Sequence, residues 1–185
     1  MWKTISSKYV YKSPFGNLRI DSCKLPNGSV IENYYVNEYS DWVNAVVITK
    51  GNKVVLVEQY RHAGNDFFLE IPAGKVEDKE SHEEGILREI KEETGYISKS
   101  KPILLGEFWT NPATQNNKVA TYLILDAFEA SNQTLDTYEE INVRLIDFDD
   151  MEEMIQNKQI TQLFTVSAYY MAKVYLSNKE RMNVK

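Results

Sequence analysis

The stretch Gly74–Tyr96, GKVEDKESHEEGILREIKEETGY, constrains the fold more than any other part of the chain. It predicts a helix with both ends marked and two different faces. Ser81-His82-Glu83-Glu84 has the spacing of a capping box, with Ser81 as the cap and Glu84 reaching back to it. Gly95 supplies the stop. Between these ends, Ile86, Leu87 and Ile90 form an apolar stripe suited to packing on a sheet. Glu89 and Glu93 share another face, with Glu92 beside them. Gly85 falls on that acidic face, where the missing side chain leaves room. Six glutamates lie between Glu80 and Glu93, and crowding them costs energy through like-charge repulsion. A divalent cation that prefers hard oxygen ligands would remove that cost. The plain alternative is a solvated acidic helix.

Residue order decides between the two. The stretch resembles the Nudix box, G-x5-E-x7-R-E-U-x-E-E-x-G-U, where U is a bulky apolar residue. Its fixed positions are filled by Gly74, Glu80, Arg88, Glu89, Ile90, Glu92, Glu93, Gly95 and Tyr96. The resemblance implies an α/β (α+β) fold, the Nudix-type α/β/α sandwich with a mixed sheet, joined here to a small N-terminal antiparallel sheet. It implies hydrolysis of a nucleoside diphosphate linked to another group, by metal-activated water. Glu89 and Glu93 are then the main metal ligands, and Glu93 a catalytic residue. Glu92 is a further ligand or orienting group, counted with the catalytic residues, and the Ala73 carbonyl is an extra ligand. Mg²⁺ is the implied cofactor, with Mn²⁺ as an alternative. Arg88 and Glu80 are read as a pair that orients the ligands.

The flanks resemble the ADP-ribose pyrophosphatase branch. Gln59-Tyr60-Arg61 matches its Q-Y-R segment, and Leu69–Gly74 its L-E-x-P-A-G segment. Pro112 matches a proline some sixteen residues beyond the box, and Tyr138–Val143 a late acidic segment. Arg61 is read as a bidentate ligand of phosphate or ribose in preference to a surface arginine. Glu70 contacts substrate or metal, or is structural. Pro112 is placed with the substrate-binding residues. His62 and His82 are set aside as bases, and Trp42, Tyr34 and Phe108 are read as core aromatics rather than adenine platforms.

One departure stands out. In that branch the loop after the proline runs S-P-G-x-x-D/S-E, and its glutamate is the base or a metal partner. Here it is Asn111–Asn117, with Ala113 at the glycine position and Asn117 at the glutamate position. An amide takes up no proton at neutral pH. Another carboxylate then serves, with Glu139 and Glu140 the nearest candidates; or the Asn and Gln side chains read a different sugar or base; or activity is weak.

Composition bounds the rest. The 185 residues are 43% hydrophobic and 26% charged, ordinary for a globular protein, and rich enough in aromatics to argue against disorder. A net charge of −6 does not suit a general nucleic-acid binder. Cys23 is the single cysteine, so no internal disulfide forms, consistent with the cytoplasm. The N-terminus shows no secretory signal, and no apolar run approaches a membrane span.

Along the chain, Lys8–Tyr11, Asn17–Lys24 and Val30–Val36 read as a small antiparallel sheet, residues 1–40, which the resemblance implies makes a homodimer. Residues 41–185 form the Nudix domain. Its predicted elements are a hairpin of Trp42–Thr49 and Val54–Tyr60, strands Phe67–Ile71, Ile103–Trp109, Lys118–Ala127 and Ile141–Ile146, and helices over Asp149–Asn157 and Ile160–Ser177. The last helix carries an apolar stripe at Ile160, Leu163, Phe164, Ala168, Met171, Val174 and Tyr175. The function so implied is cleavage of ADP-ribose or a related nucleoside diphosphate sugar to a nucleoside monophosphate and a sugar phosphate. Hydrolysis of dinucleoside polyphosphates, NADH or NTPs, and non-catalytic binding of ADP-ribose by a regulator, are the alternatives.

Overall fold

The central strands are almost continuously apolar and their successive side chains point to opposite faces, so each strand feeds two cores and the rest of the fold follows from covering both. The computed structural model describes residues 1–183. It divides into two compact units, one of Met1–Asp41 with Phe108–Val119, the other of Trp42–Glu107 with the residues from Ala120 onward.

In the first unit, β1 (Lys3–Ser13), β2 (Gly16–Lys24) and β3 (Val30–Glu38) form the expected antiparallel sheet in that order. β1 starts earlier than its composition predicts. Lys3 to Ser7 find partners in Asp21–Lys24, and cross-strand pairing outweighs weak local propensity. Trp2, Ile5, Tyr9, Val10, Tyr11 and Tyr35 are exposed.

The second unit is built on a larger sheet. Its elements are β4 (Trp42–Thr49), β5 (Lys53–Arg61), β6 (Asp66–Glu70), β7 (Ala73–Lys75), α1 (His82–Thr94) and β8 (Tyr96–Ile97). They continue with β9 (Ile103–Trp109) and β10 (Lys118–Glu129), of which Phe108, Trp109, Lys118 and Val119 belong to the first unit, and then β11 (Ile141–Asp147), α2 (Met151–Gln156) and α3 (Leu163–Asn183). The main strand order is β11-β5-β4-β10-β8, with β6 on β5, β7 on β4 and β9 on β10. On β4, Val43, Ala45 and Val47 pack with Ile86 and Ile90 of α1, whereas Val46 and Ile48 pack with Met151 of α2 and Ala168, Tyr169 and Ala172 of α3. The sandwich with helices on both faces is therefore present. Burying each such Ile or Leu is worth roughly 1.5–3 kcal/mol, whereas a helix of this length is marginal by itself in water. The glutamates of α1 thus stand on a scaffold fixed by packing.

α3 departs from its predicted face. The buried residues are Thr165, Ala168, Tyr169 and Ala172, and Leu163 and Val174 are 71% and 60% exposed. Two pairings set the rotation. The backbone N–H of Ile71 must be satisfied in the core, and it donates to Thr165 Oγ1 at 3.1 Å. Tyr169 packs on Phe148 with ring centroids 5.1 Å apart, flanked by two alanines that let the helix approach. Ile160 is buried but precedes the helix.

Candidate active site

Two residues of backbone organise the site. β7 starts at Ala73, which pairs with Asn44 of β4, and α1 brings its acidic face against it. Glu93 is 5% exposed, and its Oε2 accepts the Ala73 N–H at 3.1 Å. Glu89 lies so close to Gly74 that a Cβ there would overlap its carboxylate, which is why this position is glycine. Glu89 and Glu93 therefore converge on Ala73-Gly74. The capping box predicted at Ser81 and Glu84 is present, and Gly95 ends the helix at φ 74°.

Arg88 holds this arrangement from behind. Its Nε and Nη2 make a fork with Glu80 at 2.9 and 3.0 Å. Nη1 donates to Glu89 at 2.9 Å and Glu92 at 3.0 Å, and Nη2 also donates to the Lys75 carbonyl at 3.1 Å. All five guanidinium donors are engaged within the protein. Gly85 makes room for Glu80, whose Oε2 would lie 3.0 Å from a Cβ at that position. Glu80, bonded to Arg88, is held below the usual carboxylate range.

Arg61 and Glu70 form a bidentate pair, Nε to Oε1 at 3.0 Å and Nη2 to Oε2 at 2.6 Å. Glu70 is buried and Arg61 half exposed. Both Glu70 oxygens are thus occupied by Arg61, which leaves the guanidinium with Nη1 uncommitted to this pair. Glu139, at the end of the Asp136–Glu139 turn, is near enough for its charge to act on Glu93, Glu89 and Arg61. Glu140 is exposed and is not among the groups that act most strongly on them.

Burial is the main electrostatic fact of the site. Loss of solvent pushes the Glu93 carboxyl up to about 8, with the charges of Glu89 and Glu139 adding to it and the Ala73 N–H and Arg61 opposing it. Glu89 is also raised, first by burial, against the pull of Arg88. Hard oxygen donors of this kind suit Mg²⁺ or Mn²⁺. Among the described residues, no three acidic, imidazole or thiolate side chains are grouped closely enough to hold a metal by themselves. The set on Ala73-Gly74 fits an ion that takes one or two carboxylates and completes its shell with water and substrate phosphate, as Mg²⁺ does.

The raised Glu93 pKa carries a prediction. In the unfolded chain this carboxyl titrates near 4.3, so from about pH 4.5 to 8 the native state holds a proton that the unfolded state has released. The stability this contributes is complete below that window and is lost as pH rises through it. In chelator, urea unfolding should weaken between pH 5 and 8 by on the order of a few kcal/mol. Glu93→Gln should flatten that decline. Identical slopes in both proteins would contradict the assignment.

The first unit contains the loop that carries Pro112 and Asn117. Pro112 is exposed there. The loop is sewn to β3 and the residues after it. Asn37 N donates to Thr114 O at 2.8 Å, Tyr34 Oη to Ala113 O at 2.6 Å, and Tyr39 N to Asn116 Oδ1 at 3.2 Å. The Thr110 hydroxyl lies 2.8 Å from both Gln115 Oε1 and Asn117 Oδ1. Asn117 is 1% exposed, and its Nδ2 has no partner among the described residues. The side-chain oxygens of Gln115, Asn116 and Asn117 are thus engaged within this unit.

Sequence reasoning gave no role to the segment 130–134 that follows β10. It closes over the end of α1. Gly95 O accepts from Ala130 N at 3.0 Å and Ser131 N at 3.3 Å, and Glu92 O from Thr134 N at 2.9 Å. Gln133 Nε2 donates to Glu93 O at 2.6 Å and Ile141 O at 3.1 Å. No local pattern in the sequence marks this glutamine.

The chain is similar to known proteins over most of its length. The NUDIX domain family matches residues 40–164, and the nucleoside diphosphate sugar hydrolase N-terminal domain matches residues 2–37. A methanol dehydrogenase activator of Bacillus methanolicus is 32% identical over 90% of this chain and 89% of its own. An ADP-ribose pyrophosphatase of Bacillus subtilis (strain 168) is 29% identical over 97% of this chain and 95% of its own. A crystal structure of an ADP compounds hydrolase superposes with a TM-score of 0.84 at 18% identity, covering 97% of this chain and 96% of that one, which shows a shared fold. The chain belongs to the Nudix family, as a hydrolase of the branch that carries the nucleoside diphosphate sugar hydrolase N-terminal domain.

Proposed function

We propose that the chain is a Mg²⁺-dependent pyrophosphatase of ADP-ribose or a closely related nucleoside diphosphate sugar, releasing a nucleoside monophosphate and a sugar phosphate. The observation that carries this is the convergence of Glu89 and Glu93 on Ala73-Gly74, with Arg61 and Glu139 facing them. A divalent cation held by Glu89, Glu93 and the Ala73 carbonyl would neutralise pyrophosphate oxygens and acidify a water. Arg61, aimed by Glu70, binds phosphate through its remaining donors. Glu92 and the Glu80–Arg88 pair keep Glu89 in place. Glu139 takes the proton of the attacking water. The water oxygen bonds to one phosphorus as the bridging P–O bond breaks, and the leaving phosphate carries away the bridging oxygen. Pro112 is kept as a substrate-binding residue on the resemblance of its position to the branch's proline. The exposed aromatics of the first unit support a homodimer, since an apolar patch of this kind seeks cover. Among the described residues, no helix is long and apolar enough to cross a membrane. We place the enzyme in the cytoplasm on its single, free cysteine.

The relative named as a dehydrogenase activator favours a second reading, in which the chain acts upon another enzyme. A substrate panel separates the possibilities: ADP-ribose, ADP-glucose, GDP-mannose, NADH, dATP and diadenosine tetraphosphate, each with Mg²⁺ or Mn²⁺. ADP-ribose should yield AMP and ribose 5-phosphate with the highest kcat/KM. A preference for dATP or diadenosine tetraphosphate would overturn the sugar reading. Tight calorimetric binding of ADP-ribose without any product would replace it by the regulator.

A further inference from the structure

We propose that Gln133 is a positioning residue whose side-chain amide locks the last turn of α1 to the start of β11 and thereby holds Glu139 at the carboxylate cluster. The inference rests on Glu139 being the proton acceptor proposed above.

Glu139 lies on the irregular connection between β10 and β11, and is exposed. A base must stand within about 2.6–3.2 Å of the proton it takes, and a displacement of about 1 Å can lower a rate 10²-fold. Something must therefore hold this connection. The turn around Glu139 is closed by its own bonds, Glu139 N to Asp136 O at 3.0 Å and Asp136 N to Glu139 Oε2 at 3.1 Å. Those bonds set the shape of the turn, not its location. Location comes from further back along the chain. α1 ends with carbonyls that have no partner inside the helix. Gly95 N takes Lys91 O, Thr134 N takes Glu92 O, and Gln133 Nε2 takes Glu93 O. The same nitrogen donates to Ile141 O, two residues after Glu139. One half-buried amide group thus joins the backbone of a cluster glutamate to the strand that Glu139 leads into.

The chemistry is specific to glutamine. Asparagine is one methylene shorter. Glutamate has no proton to donate when ionised and would set a carboxylate against two carbonyl oxygens. Leucine and methionine fill a similar volume without donors. Glu93 and Ile141 are both buried, so loss of the amide leaves their carbonyls poorly satisfied and lowers stability somewhat. Urea unfolding of each variant separates that loss from the loss of alignment.

The test uses the full chain as wild type, Gln133→Leu, Gln133→Met, Glu139→Gln and the Gln133→Leu/Glu139→Gln double variant. Either Gln133 variant should lower kcat on ADP-ribose about 10–100-fold, with KM and the half-saturating Mg²⁺ concentration within about threefold of wild type. Amide hydrogen exchange over residues 134–139, measured without metal or substrate, should quicken. In the Glu139→Gln background the Leu substitution should have no further effect on kcat, because both act through one carboxylate. A normal kcat in the Gln133 variants, or losses that multiply in the double variant, would overturn the inference while leaving the role of Glu139 intact. A wild-type kcat for Glu139→Gln would overturn that role, and the inference with it.

Discussion

Glu93→Gln is expected to lower kcat on a nucleoside diphosphate sugar by about 10³-fold or more while the protein stays folded. The substitution keeps the shape of the side chain. The amide oxygen of glutamine can still accept the Ala73 N–H that Glu93 Oε2 accepts at 3.1 Å. The capping box, Ile86 and Ile90 are untouched, so α1 remains docked. What is lost is one negative oxygen ligand on Ala73-Gly74. Charge stabilisation by a bound cation is worth several kcal/mol, and each 1.36 kcal/mol is a factor of ten in rate. Glu92→Gln should lose far less, about tenfold, because Glu92 is half exposed and joined to Arg88, which keeps its bonds to Glu80. Steady-state kinetics at saturating substrate, with circular dichroism and a Mg²⁺ titration, measure both. A folded Glu93→Gln protein with undiminished turnover would rule out this site as the catalytic one.

The second large effect separates two adjacent glutamates. Glu139→Gln should lower kcat 10²–10⁴-fold, the usual contribution of a positioned acid or base. Glu140→Gln should stay within about threefold of wild type, since a surface substitution away from special contacts is usually close to neutral. The distinction comes from placement. Glu139 acts on Glu93, Glu89 and Arg61, and its carboxylate is tied to Asp136 N. Glu140 is exposed at the entrance to β11. Equal losses in both variants, or a loss confined to Glu140→Gln, would show that the proton goes elsewhere.

Much of this protein is legible in the sequence because the relevant signals are local. The Ser81–Glu84 capping box acts within one helical turn, and Gly95 stops the helix by its own left-handed backbone. The apolar runs Trp42–Thr49 and Val54–Tyr60 and the turn between them mark the β4–β5 hairpin through neighbouring residues. The box anticipates the glycine at 74, and helical spacing the one at 85, where carboxylates press against the backbone.

Tertiary structure decided what depends on partners distant in the chain. The face that α3 buries follows from Thr165 receiving the Ile71 N–H, 94 residues away, and not from the stripe of larger apolar residues. Glu70 could have met metal, substrate or protein; it meets Arg61 with both oxygens. Asn117 occupies the position of a family glutamate, but it is buried in its own loop with Thr110. Gln133 looks like any surface glutamine until its amide is found on Glu93 O, 40 residues back. The caps and glutamate spacing of Gly74–Tyr96 are readable from neighbouring residues, because both act within a few positions. That Gln133 donates to Glu93 O and Ile141 O, and that the charge of Glu139 reaches Glu89, Glu93 and Arg61, emerges only in the fold, since hydrogen bonds across it leave no periodic trace along the chain.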